Sequence, residues 1–198
     1  MLLDWAVAER ALPGQAISGD LHVVEPFPDG VLVAVIDALG HGDEAAAAAR
    51  LAASTVRAHA HEAIPTLIRI CHERLRAARG VVMSAASFNA RNDSVTWGGV
   101  GNVEGFLVRS HASGSSPREA LVLRNGVVGF HLPEVRSTVR PIARGDVLVL
   151  ATDGIATGFL DDFDRGTPQD VADRILARYG KPTDDALVLV AAYIGMTS

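Results

Sequence analysis

The sequence predicts an α+β fold in which two antiparallel sheets pack together with helices on the outside. Three observations point there. Short apolar runs of strand length, some alternating and some continuous, occupy both ends of the chain. Two helical patterns stand side by side between residues 43 and 80 instead of alternating singly with strands. The runs from residue 81 onward are joined by Asn-rich or Gly-rich turns, which suit antiparallel neighbours better than parallel crossovers.

Taken in order, Leu3, Trp5 and Val7 alternate with Asp4, Ala6 and Ala8, the period of a half-buried first strand. Residues 12–20, LPGQAISGD, read as a loop from their Pro and Gly. LHVVEPF and VLVAVIDAL flank Pro28-Asp29-Gly30 and predict a hairpin. Residues 43–60 read as a helix, with Asp43 and Glu44 complementing the dipole and alanines following. A second helix is expected from Pro65 to before Gly80, with Arg74, Arg76 and Arg79 in its last turns. VVMSAASFN, SVTWGGVG and VEGFLVR predict an antiparallel meander. HASGSSPRE reads as a polar hairpin tip, and Asn125-Gly126 as the turn of a tight hairpin. GDVLVLATDG holds a buried strand that ends in acid and glycine. TPQDVADRILARYG is a helix marked at both ends, by a Thr167 cap with Pro168 just inside and by Gly180 as stop. ALVLVAAYIG closes the series as a buried strand.

The 198 residues suit one domain, 1–198, with a sizeable core, and 48% hydrophobic against 21% charged residues reads as globular. A net charge of −5 without any basic run argues against nucleic acid as a partner. No apolar run approaches the roughly 18 residues of a membrane span. The start, MLLDWAVAER, carries Asp4 where a signal peptide wants positive charge. The lone Cys71 excludes an internal disulfide and fits a reducing cytosol, so the expected location is cytoplasmic. Cys71 itself reads as a small core residue, since it lacks the Cys-x5-Arg loop of a thiol phosphatase.

The acids carry the functional signal. Asp20 follows Ser18-Gly19, Asp37 ends VLVAVI, Asp153 ends VLVLAT and precedes Gly154, and Asp184-Asp185 precede ALVLVAAYI. Each alone fits an ordinary turn. Together they place several carboxylates at the ends of buried strands, where an unpaired charge costs several kcal/mol. Basic partners are scarce, because Arg50, Arg57 and Arg174 fall at helix positions that read as solvent-facing. A hard divalent cation, Mg²⁺ or Mn²⁺, is the expected neutraliser, since no Cys or His cluster has zinc spacing. The pattern predicts a carboxylate cage around two such ions bridged by one aspartate.

SGD, VIDALGHG, ATDG and TDDALVLV, in that order, resemble the signature of PPM-type metal-dependent Ser/Thr protein phosphatases of the SpoIIE-like branch. ERLRAARGVVMSAASFN and VTWGGVGNVEGFLVR resemble its stand-alone, RsbX-like stressosome members, and the likeness spans roughly residues 3–194. The resemblance implies a PPM-phosphatase-like α/β/β/α sandwich in minimal form, without a regulatory domain. It implies two Mn²⁺ or Mg²⁺ ions, with Asp37 bridging, Asp20 holding one ion partly through water, and Ala38 offering its carbonyl. Asp153 and Asp184 would complete the other site, with Asp185 as the alternative to Asp184. These acids would be the catalytic residues, serving attack of a metal-activated hydroxide on phosphoserine or phosphothreonine. The implied substrates are phosphorylated STAS-domain proteins, either a stressosome scaffold or an anti-anti-sigma factor, whose dephosphorylation resets a stress or sigma-factor cascade.

Departures are visible. Ala38 stands where the family has glycine, and Leu187 where threonine is common. His41 reads first as a turn residue, and His22 as a neighbour supporting Asp20. Gly40 and Gly42 would let backbone pass close to the metal water, with N–H groups of the following helix nearby. Two further readings stay open on the residues. One is a phospho-STAS-binding pseudophosphatase without turnover, and the other is a two-metal hydrolase of small phosphate esters.

Overall fold

A computed structural model describes residues 2–110, 118–161 and 163–195. One sheet is ordered β1 (Leu3–Arg10), β10 (Ala186–Tyr193), β9 (Val147–Ala151), β6 (Glu104–Val108) and β7 (Arg118–Ala120). The other is ordered β2 (Asp20–Phe27), β3 (Gly30–Ala38), β4 (Val81–Asn89), β5 (Ser94–Val100) and β8 (Thr138–Pro141). Every ladder between these strands is antiparallel. Helices α1 (Asp43–Ala58) and α2 (Ile64–Leu75) cover the second sheet, and α3 (Pro168–Tyr179) covers the first. The layers are therefore α/β/β/α.

The period of two along β3 builds two of the three apolar layers. Leu32, Ala34 and Ile36 face α1 and α2, where they meet Ala45, Ala49, Ala52 and Leu67. Val33 and Val35 face inward and join Phe88, Trp97, Leu148 and Leu189 between the sheets. Val149, Val188 and Val190 pack against Val171, Ala172 and Ile175 of α3. The alanines of α1 are small enough to bring its backbone close to the sheet. Thr167 caps α3, as its sequence signature predicts, and does so through a reciprocal pair with Asp170. Cys71 is a buried core residue, and burial pushes its thiol up to about 12.

Four sequence expectations differ in detail. In β1 both faces are covered, so Leu3 and Val7 meet the inter-sheet core while Ala6 and Ala8 are buried as well, Ala8 against the α3 layer. Trp5, expected to be buried, is 40% exposed and leans on His22 with ring centroids 5.9 Å apart. The meander stops at β5, and β6 joins the opposite sheet. That crossover uses Gly101 at φ +99°, where a Cβ would overlap the Val82 side chain. Asn125-Gly126 turns no hairpin, because Val128 instead exchanges backbone hydrogen bonds with Val81 of 2.8 and 2.9 Å. Strand β8 went unforeseen, since its four residues, TVRP, carry no apolar run. The polar tip expected over 111–119 lies outside the described residues at 111–117.

Candidate metal centre

The acids reach one end of the sandwich by four routes. The two-residue turn at Pro28-Asp29 sets the β2–β3 register, which makes Asp20 and Asp37 direct cross-strand partners. After Ala38 the chain turns through Gly40 and Gly42, both at positive φ, into α1. Asp153 follows β9, and Asp184-Asp185 precede β10. The last two routes are locked by backbone approach: a Cβ on Gly154 would overlap the Asp185 carbonyl oxygen, and Lys181 N–H donates to Gly154 O at 2.7 Å.

Asp37, Ala38, Asp153 and Asp184 line one open cleft of about 540 Å³, together with His41, Asn102 and Asn125. Asp20 lies behind that lining, 3% exposed, and its Oδ2 accepts the Thr152 hydroxyl at 2.8 Å. The Asp184-Asp185 doublet divides. Asp184 is exposed in the cleft, whereas Asp185 is buried and accepts the Leu12 and Gly19 N–H groups at 2.7 Å each. Asp185 is thus engaged in pinning the 12–19 loop, and Asp184 is the doublet's open carboxylate.

Burial, first, and then the charge of Asp37 push Asp20 up to about 8, partly offset by the Thr152 hydrogen bond. Burial and then the charges of Asp153, Asp184 and Asp185 push Asp37 up to about 7. Asp184 is raised by burial and by Asp153, with the Asp185 backbone N–H, which donates to its Oδ1 at 2.9 Å, and then Lys181 pulling it back. Arginines pair elsewhere, for example Arg79 with Glu44 at 2.6 Å and Arg109 with Asp146 at 3.0 Å. Arg50, Arg57 and Arg174 are exposed. Mutually repelling oxygen donors of this kind fit a hard divalent cation, which would replace their protons. Among the described residues, no three His, Cys, Asp or Glu side chains stand at direct-ligand spacing, so water would complete part of the shell.

The departures have structural outcomes. Ala38 has no positive φ, so its methyl group imposes no backbone strain. Leu187 is buried between the sheets, and its backbone N–H donates to Thr152 Oγ1 at 2.9 Å. Thr152, missed as a functional residue although it stands in the ATDG run, is therefore the hydroxyl that reaches Asp20. His22 does not line the cleft; it lies 3.8 Å from Glu9 at the β1 edge, and burial lowers its pKa. The cleft wall ends at His41, so the first-turn N–H groups of α1 stand outside its lining. Asn102 also went unremarked, and its amide donates to Asp153 Oδ2 at 2.7 Å.

The chain matches the family model for Stage II sporulation protein E (SpoIIE) over residues 28–193. A search of curated proteins found no match. Among solved structures it is similar to one from work described as "The bacterial stressosome: a modular system that has been adapted to control secondary messenger signaling", with TM-score 0.86 and 26% identity, covering 96% of this chain and 98% of that one. It is similar to RsbX in complex with magnesium, with TM-score 0.85 and 20% identity over 97% and 96% of the two chains. The catalytic domain of the serine/threonine protein phosphatase PstP, in complex with two manganese ions, aligns with TM-score 0.75 and 17% identity over 98% and 99%. The sandwich, the order of its acidic motifs and the family match converge: the chain belongs to the SpoIIE family and has the fold of PPM-type phosphatases.

Proposed function

We propose that this protein is a metal-dependent Ser/Thr phosphoprotein phosphatase of the cytoplasm, with the whole chain as one catalytic domain, acting on phosphorylated STAS-domain proteins. The observation that carries the reading is the convergence of Asp37, Asp153 and Asp184 on one open cleft, with Asp20 directly behind Asp37. The stressosome and RsbX likenesses support a partner-switching role, in which a stressosome scaffold or an anti-anti-sigma factor is dephosphorylated and the cascade is reset.

In this reading Asp37 would contribute to both ions, Asp20 and the Ala38 carbonyl to one, and Asp153 and Asp184 to the other. Bound Mg²⁺ or Mn²⁺ supplies positive charge for the phosphoryl oxygens and an acidified water as nucleophile. The residues of this chain do the rest by position. Thr152 orients Asp20 from the inner side, and Asp185 holds the loop that carries Gly19 against it. The cleft's openness admits a phosphorylated side chain standing on a protein surface. No covalent route through Cys71 is available, because that thiol is buried and its pKa is raised.

The test is hydrolysis by the purified protein with Mn²⁺, using a phosphoserine STAS-domain protein beside an aryl phosphate. Turnover of both, lost on chelation, is expected. Binding of the phosphoprotein without turnover would favour the pseudophosphatase, and turnover of the aryl phosphate alone would favour a small-ester hydrolase.

A further inference from the structure

We infer that Asn102 is a positioning residue for metal binding, fixing which oxygen of Asp153 faces the ions. The inference rests on the proposed metal site and goes beyond it by assigning a role to a residue outside the acidic motifs. Asn102 is the first residue after the glycine crossover from β5 toward β6, where the chain leaves one sheet for the other. Gly101 takes φ +99°, where an added Cβ would overlap the Val82 side chain, and this turn sets where the next side chain starts. Asn102 thereby lines the cleft, and its Nδ2 donates to Asp153 Oδ2 at 2.7 Å. Asp153 is held at its other end too, because Lys181 Nζ donates to its backbone carbonyl at 2.5 Å.

The consequence is chemical. A carboxylate has two oxygens that can swing past each other about the last side-chain torsion. With Oδ2 engaged by an amide N–H, Oδ1 is the oxygen left for a cation, and one-oxygen ligation is favoured over chelation through both. The donor is neutral, so it orients Asp153 without contributing a positive charge that would compete with the ions. An aspartate here would repel Asp153, and a lysine would neutralise it. Asparagine does neither, which suits a carboxylate that must stay charged and aimed.

The test uses Asn102→Leu, close in volume but without the donor, and Asn102→Ala as a second variant should the leucine disturb folding. Mn²⁺ binding is measured by calorimetry on the full chain after chelator removal, and thermal stability is measured in chelator. The expected result is an Mn²⁺ dissociation constant raised by roughly 10–100-fold with the metal-free melting temperature little changed. Wild-type Mn²⁺ affinity in the variants would overturn the inference while leaving the metal site standing. Failure of the wild-type chain to bind Mn²⁺ would overturn the metal site and this inference with it.

Discussion

Asp20 and Asp37 face each other directly across the β2–β3 ladder. Cross-strand partners have Cβ atoms about 5 Å apart, and like charges there destabilise a sheet. Among the described residues neither acid is paired with an arginine, and both are pushed well above the ordinary carboxylate range, to about 8 and about 7. A hairpin whose β3 strand is otherwise apolar thus carries an electrostatic fault at its open end. In the proposed function, a divalent cation would turn that fault into a binding site.

The fault has a pH signature. The folded values of Asp20 and Asp37 exceed the roughly 3.9 of an unfolded aspartate, so the metal-free folded protein holds protons that the unfolded chain releases. Their contribution to stability is complete below the unfolded value and is lost as pH rises through about 7 to 8. In chelator, the melting temperature should therefore fall between about pH 5 and pH 8. Saturating Mn²⁺ should reduce that fall, because the ion takes over from the protons. A metal-free melting temperature that rises across this window contradicts the account.

The acidic doublet should separate by measurement. Asp184→Asn is expected to weaken Mn²⁺ binding by more than about tenfold with little change in melting temperature, as removal of an exposed ligand would. Asp185→Ala strips the acceptor from the Leu12 and Gly19 N–H groups and should destabilise by about 1–3 kcal/mol for each. Denaturant unfolding and calorimetry on the two variants check both halves.

Gly154→Ala should be among the most damaging single changes near the site. The added methyl would overlap the Asp185 carbonyl oxygen and so wedge the Asp153 loop from the Asp184 loop. A destabilisation of several kcal/mol is expected, lowering the melting temperature by about 2–4 °C for each kcal/mol in a chain of this size. Phosphatase activity should fall further than stability, since the two carboxylates would move apart.

Much of this is legible in the residues themselves. The apolar runs before Asp37 and Asp153 mark buried strands, and Thr167 with Pro168 marks a helix start, because both signals are local. What fails is non-local. Trp5 alternates with Leu3 and Val7 like a core residue, yet it is left exposed beside His22, while α3 on the other face of β1 buries Ala8 as well. Asn125-Gly126 has hairpin chemistry, but Val128 finds a better partner in Val81. Thr152 and Asn102 read as ordinary residues until the fold sets one against Asp20 and the other against Asp153. His22 sits two residues from Asp20 in sequence, yet its ring lies at the β1 edge, beside Trp5 and Glu9.

The most direct measurement compares wild type with Asp37→Asn for Mn²⁺ binding by calorimetry and for Mn²⁺-dependent dephosphorylation of a phosphoserine STAS-domain protein. The account predicts that the wild type binds the ion and turns over the substrate. It predicts that Asn at position 37 lowers both by at least about 100-fold while the metal-free fold is kept or stabilised. Undiminished Mn²⁺ binding and activity in Asp37→Asn would contradict it.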